Sequence, residues 1–155
     1  MKKLLAYIVA ILLLSACSSD AASSTKPSQP ESDKGTVPMK HKIHVNDTTF
    51  TATLADNSSA TALKELLQKG DLTLDMEDFS NFEKVADLPV TLPRNDTPTD
   101  TDAGDLILYL GKRIVIYYDK NSWDFTPLGK IDNVNKMRLK QILGDGNATV
   151  TFSVK

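Results

Sequence analysis

Residues 105–119 read DLILYLGKRIVIYYD, and they constrain the fold more than any other stretch. Two runs of β-branched, aromatic and leucine side chains are split by Gly111-Lys112, the pattern of a β-hairpin. A glycine at the first central position fits a two-residue type II′ turn, which pairs Leu110 with Arg113 and Tyr109 with Ile114. One face then carries Ile107, Tyr109, Ile114 and Ile116, and the other Leu106, Leu108, Leu110, Val115 and Tyr117. Both faces are apolar, so these strands must be covered on both sides. A closed barrel with helices or loops laid against it meets that demand and leaves no sheet edge exposed.

The rest of the chain supplies partners for such a barrel. KIHVNDTTFTATL (42–54) alternates apolar and polar residues around Asn46-Asp47, a second hairpin. NSSATALKELLQKG (57–70) is a helix of about three turns, with Asn57 or Ser58 as its cap, Leu63, Leu66 and Leu67 on one face, and Gly70 as its stop. LTLDM (72–76) and FEKVADLP (82–89) are strands, and LPRNDTPTDTDAGD (92–105) is a polar loop rich in turn residues. SWDFTPLGKI (122–131) leads into a short helix from about Asn133 to Leu143. Gly144 and Gly146 then turn the chain into a last strand, NATVTFSV (147–154). The expectation is about eight strands and two helices in one domain of about 114 residues, 42–155.

Ahead of that domain lie two segments of different character. Met1-Lys2-Lys3 is a basic start, and Leu4 to Leu14 is an apolar run of 11 residues. A membrane-spanning helix needs about 20, so residues 1–16 are a secretory signal and not an anchor. Leu14-Ser15-Ala16-Cys17 resembles the bacterial lipobox, which implies a diacylglycerol on the Cys17 sulfur and cleavage before Cys17. Two acyl chains anchor stably where one does not. Cys17 is the only cysteine, so the domain has no disulfide and no thiolate chemistry. Residues 17–41 are rich in Ser, Thr, Pro, Lys and Asp, with almost nothing to bury, and are expected to be a disordered linker. A coil of that length spans about 25–30 Å.

Without Lys2 and Lys3 the chain carries 16 basic and 20 acidic groups. A mildly acidic, exported domain is a poor candidate for binding nucleic acid, which requires a concentrated basic footprint, and no nucleic-acid partner is expected. The expected localisation is a bacterial membrane surface, with the domain facing away from the cytoplasm. The outer membrane is open where the cell has one, because Ser18 follows the cysteine in place of an aspartate.

FTATLADNSSATALKELL, LTLDMEDFSNFEKVADLP, AGDLILY and FTPLGKID, in this order, resemble the bacterial cyclophilin-like-fold lipoproteins. The resemblance implies a mainly β fold: a closed eight-stranded barrel with two short helices capping its ends. True cyclophilins are prolyl isomerases, whose arginine stabilises the twisted prolyl amide while aromatics hold the proline ring. Their Phe-His-Arg and Gln-Gly-Gly runs are absent here, so no catalytic residue is assigned. A fold is retained more readily than a chemistry.

Other chemistry finds little support. His41 and His44 are three apart on a strand and face opposite sides, which argues against a shared metal, and no nucleophile-elbow sequence accompanies them for a triad. Asp100, Asp102 and Asp105 resemble a calcium loop but lack glycine at position six and glutamate at position twelve. Glu77 and Asp78 are adjacent and point apart. No metal or cofactor is implied. The aromatics Tyr109, Tyr117, Tyr118, Trp123 and Phe125 are the stronger lead. Trp123 either folds back over the barrel or lines a groove with Phe125, Arg113, Met76 and Phe82, suited to a peptide or small ligand. The oligomeric state is left open.

Overall fold

The computed structural model describes residues 40–154. The signal segment, the Leu14-Ser15-Ala16-Cys17 box and the expected linker up to residue 39 lie outside the described residues.

Nine strands and two helices follow in order among the described residues: β1 (Lys40–Val45), β2 (Thr48–Leu54), α1 (Ser58–Gln68), β3 (Leu72–Phe79), β4 (Glu83–Asp87), β5 (Thr97–Asp100), β6 (Asp105–Tyr109), β7 (Arg113–Tyr117), β8 (Ser122–Ile131), α2 (Lys136–Leu143) and β9 (Ala148–Ser153). Lys40 and His41, placed in the linker from the sequence, belong to β1. Eight strands run β2-β1-β9-β3-β4-β7-β6-β8, and β8 pairs back onto β2, so the barrel closes with every pair antiparallel. The ninth strand, β5, lies outside this ring and pairs with the first half of β8. It falls in the segment expected to be a polar loop, where strand propensity is low and only its partner makes it extended.

Closure depends on Gly129. It faces Leu54 across the β2–β8 seam with φ of 156°, and a Cβ there would sit 2.4 Å from the Thr53 carbonyl oxygen. Only glycine lets the two backbones approach that closely.

The interior is filled by alternate residues of each strand: Ile43 and Val45 from β1, Leu106 and Leu108 from β6, Ile114 and Ile116 from β7, Val150 and Phe152 from β9. The helices close it with Leu63 and Leu67 of α1 and Leu139 and Leu143 of α2. Each starts at an asparagine cap. Asn57 Oδ1 accepts the Ala60 N–H at 2.8 Å, and Asn135 Oδ1 accepts the Arg138 N–H at 2.9 Å. The second helix thus starts at Lys136, three residues later than expected.

The central hairpin differs from the expected register by one residue. Tyr109 pairs with Arg113, Leu108 with Ile114, Ile107 with Val115 and Leu106 with Ile116, around a three-residue loop, Leu110–Lys112. Leu110 and Gly111 both take positive φ, and Leu110 points to solvent. The cause is non-local: Leu88 N–H bonds the Lys112 carbonyl at 2.7 Å, and Leu92 N–H bonds the Gly111 carbonyl at 2.8 Å. A one-residue slip exchanges the partners on each face. Leu106, Leu108, Ile114 and Ile116 therefore share the interior, while Ile107, Tyr109, Arg113, Val115 and Tyr117 share the outer wall.

Candidate functional site: an aromatic groove on the outer wall

Pairing across β3, β4 and β7 builds the outer wall in rungs. Phe79, Glu83 and Tyr117 form one, Glu77, Val85 and Val115 the next, and Asp87 and Arg113 a third. The hairpin between β3 and β4 adds Phe82, β6 adds Tyr109, and β8 adds Trp123 and Phe125. Together they line a cavity of about 410 Å³, within the range of small-ligand and side-chain pockets.

Six of its eleven lining residues are aromatic. Phe82 stacks on Tyr117 with centroids 6.1 Å apart and planes 16° apart. Phe125 meets Tyr117 at 5.6 Å and Tyr109 at 6.3 Å, and Phe79 meets Phe82 edge-on at 5.8 Å. These offset and edge contacts hold the rings in place. Trp123 is different. It stands on β8 opposite Thr99 of β5 and remains 65% exposed at the groove. It does not fold back over the barrel, because the β5–β8 pairing extends its strand away from the closed ring.

One acid sits in this apolar setting. Glu83 is only 9% exposed, and its carboxyl accepts a hydrogen bond from the Tyr117 hydroxyl. Asn121 Nδ2 donates to the same hydroxyl oxygen at 3.3 Å. Glu83 Oε2 has no partner. Burial pushes the Glu83 carboxyl above its ordinary value, and the Tyr117 bond offsets only part of that. Burial, with Glu83 beside it, pushes Tyr117 up as well. The cation of the groove, Arg113, bonds Asp87 Oδ1 through Nε at 3.1 Å, with both side chains more than half exposed.

Phe82, Arg113, Trp123 and Phe125 are thus brought together as the sequence implied. Met76 is not. It is fully buried in the barrel interior, opposite Ala148, because its strand neighbours Asp75 and Glu77 take the outer face. Tyr118 also turns inward, where its hydroxyl bonds Asp78. Phe79, Glu83, Val85, Val115 and Asn121 were not anticipated. The available signal was the alternation along 77–87, which places Phe79, Glu83 and Val85 on the outer face once the β3–β4 turn is located.

The other candidates are separate. His41 is buried and His44 exposed, as alternation requires. Asp100 accepts from Ser122 Oγ at 2.6 Å and Asp105 from Lys130 Nζ at 2.7 Å, so the acidic loop is tied to β8. Among the described residues no three His, Asp or Glu side chains are grouped to hold a metal.

The fold and the groove define a class: a small closed antiparallel barrel whose outer wall, not its interior, carries the open aromatic cavity. The profile of the cyclophilin-like family matches residues 43–153, and the chain belongs to that family. A profile of the prokaryotic membrane lipoprotein lipid attachment site matches residues 1–18. The protein is therefore a membrane-anchored, cyclophilin-like lipoprotein. Among solved structures, the solution structure of a hypothetical protein from Archaeoglobus fulgidus is similar, with a TM-score of 0.56 and 15% identity, covering 77% of this chain and 96% of that one. That likeness is one of fold. None of the curated proteins compared matches the chain.

Proposed function

We propose that this lipoprotein holds its barrel outside the cytoplasm through a diacylglyceryl group on Cys17, and that the outer groove binds a peptide or small apolar ligand without catalysis. One observation carries the reading: six aromatic side chains, Phe79, Phe82, Tyr109, Tyr117, Trp123 and Phe125, converge on a single cavity. Aromatic faces left open on a β surface favour an apolar occupant. The absence of the Phe-His-Arg and Gln-Gly-Gly runs speaks for binding over turnover. Trp123 is the only tryptophan, so its fluorescence reports directly on the groove. Titrating the anchored protein with short apolar peptides should shift its emission, and Trp123→Ala should weaken binding measured by calorimetry. Peptides that leave both signals unchanged would remove this reading.

A divergent prolyl isomerase is the second reading. It is favoured by Arg113, a guanidinium set among aromatic rings on the outer wall. A proline test peptide separates the two: isomerisation at the uncatalysed rate eliminates catalysis, whereas acceleration lost in Arg113→Ala supports it.

A further inference from the structure

The aromatic groove does not end at Phe79. A second trough of about 530 Å³ continues from it along β3 and β4, sharing Phe79, Val85 and Arg113 as common walls. Its remaining polar lining is acidic: Asp75, Glu77 and Asp87. Asp75 accepts one bond from Thr149 Oγ1 at 2.7 Å, and Asp87 is bonded to Arg113. Glu77 is exposed, its carboxylate turned to the solvent side of β3. Three carboxylates thus face one guanidinium.

Resting on the groove reading above, we propose that the occupant is an extended peptide segment with a lysine or arginine near an apolar residue. The apolar side chain fills the aromatic groove, and the cationic one lies in the acidic trough. Two observations converge. The trough has an excess of negative charge, which attracts cations and repels acidic segments. Independently, Glu83 lines the adjoining groove while nine-tenths buried, and its Oε2 lacks a partner. A carboxyl left in that state is matched by a proton donor within the aromatic groove, such as a backbone N–H of the same extended segment. The exposed ring of Phe79 stands between the two cavities and lines both, within reach of the same cation. Side chains two apart on an extended strand lie about 6.6–6.8 Å apart on one face, a spacing that suits two adjoining cavities.

The test uses the full anchored chain in neutral phosphatidylcholine vesicles, so that a cationic peptide has no lipid charge to bind. Two blocked peptides are titrated against Trp123 fluorescence: acetyl-Gly-Phe-Gly-Lys-Gly-amide and the same peptide with norleucine for lysine. The lysine peptide should bind about fivefold tighter or more at low salt. That advantage should shrink at high ionic strength and disappear in Asp75→Asn/Glu77→Gln, two exposed positions whose change leaves the far-UV spectrum intact. Equal or tighter binding of the norleucine peptide overturns the charge proposal while the groove reading stands. Absence of binding by either peptide overturns both.

Discussion

Lys84 offers the most direct test of how this barrel is held together. It lies on β4 with its side chain inside, fully buried, between Asp78 of β3 and the turn that follows α2. An ammonium has three donors, and all three are used: Asp78 Oδ1 at 2.7 Å, the Gly144 carbonyl at 3.0 Å and the Gly146 carbonyl at 2.5 Å. Lys84→Met keeps the length of the side chain and removes every one of these bonds. Asp78 retains the Tyr118 hydroxyl and the Asn81 N–H, so its charge is not wholly stranded, but the two carbonyls are. Breaking a buried pair costs about 3–5 kcal/mol, and the partners left to Asp78 put this change near the lower end, about 3 kcal/mol. Domains of this size have about 5–15 kcal/mol in all. With a urea slope of about 1.5 kcal/mol/M the midpoint should fall by about 2 M. Far-UV circular dichroism is the right probe, because Trp123 is already largely exposed in the folded state. Replacing the whole set, as Lys84→Met/Asp78→Leu/Tyr118→Phe, should restore at least half of the loss, since no buried polar partner is then orphaned. A single Lys84→Met cost below about 1 kcal/mol would refute the reasoning, as it would mean that the ammonium is neither desolvated nor bonded.

Three further outcomes are expected, two from the structure and one from the N-terminal sequence. Gly129→Ala should destabilise by about 3–5 kcal/mol in urea titration, because the new methyl meets the Thr53 carbonyl at the seam and the residue keeps a positive φ. Burial raises the Glu83 carboxyl, so the folded state holds that proton to higher pH than the unfolded chain. Stability is therefore full below the ordinary value of 4.5 and is lost as pH rises through the folded value, and Glu83→Gln should flatten that limb and gain on the wild type toward pH 7. Fatty-acid labelling should mark the wild type and not Cys17→Ala; label on the variant, or none on the wild type, would contradict attachment at Cys17.

Local patterns carried most of the architecture. Alternation in 42–54 and 147–154 placed β1, β2 and β9, Asn57 or Ser58 marked the start of α1, which Asn57 caps, and two apolar faces on 105–118 called for cover that a closed barrel supplies. The N-terminal segment was legible for the same reason: its short apolar run and the box before Cys17 are marks that need no tertiary partner. The groove was half legible. Phe82, Arg113, Trp123 and Phe125 stood out as aromatics and a cation near one hairpin, whereas Met76 was assigned to the wrong face.

What only the tertiary structure decided was register and depth. The loop at Leu110–Lys112 is pinned by Leu88 and Leu92, some 20 residues away, and that pin sets which five side chains of the hairpin face outward. A lysine within FEKVADLP reads as solvent-exposed, yet Lys84 is the most enclosed cation among the described residues, because Asp78, Gly144 and Gly146 arrive from distant segments to receive it. Glu83, its neighbour in the chain, is drawn to the opposite face and into the aromatic groove. Sequence patterns record the period of a strand, but they do not record which neighbour its edge will meet, and in a closed barrel that choice settles which side chains become core and which become site.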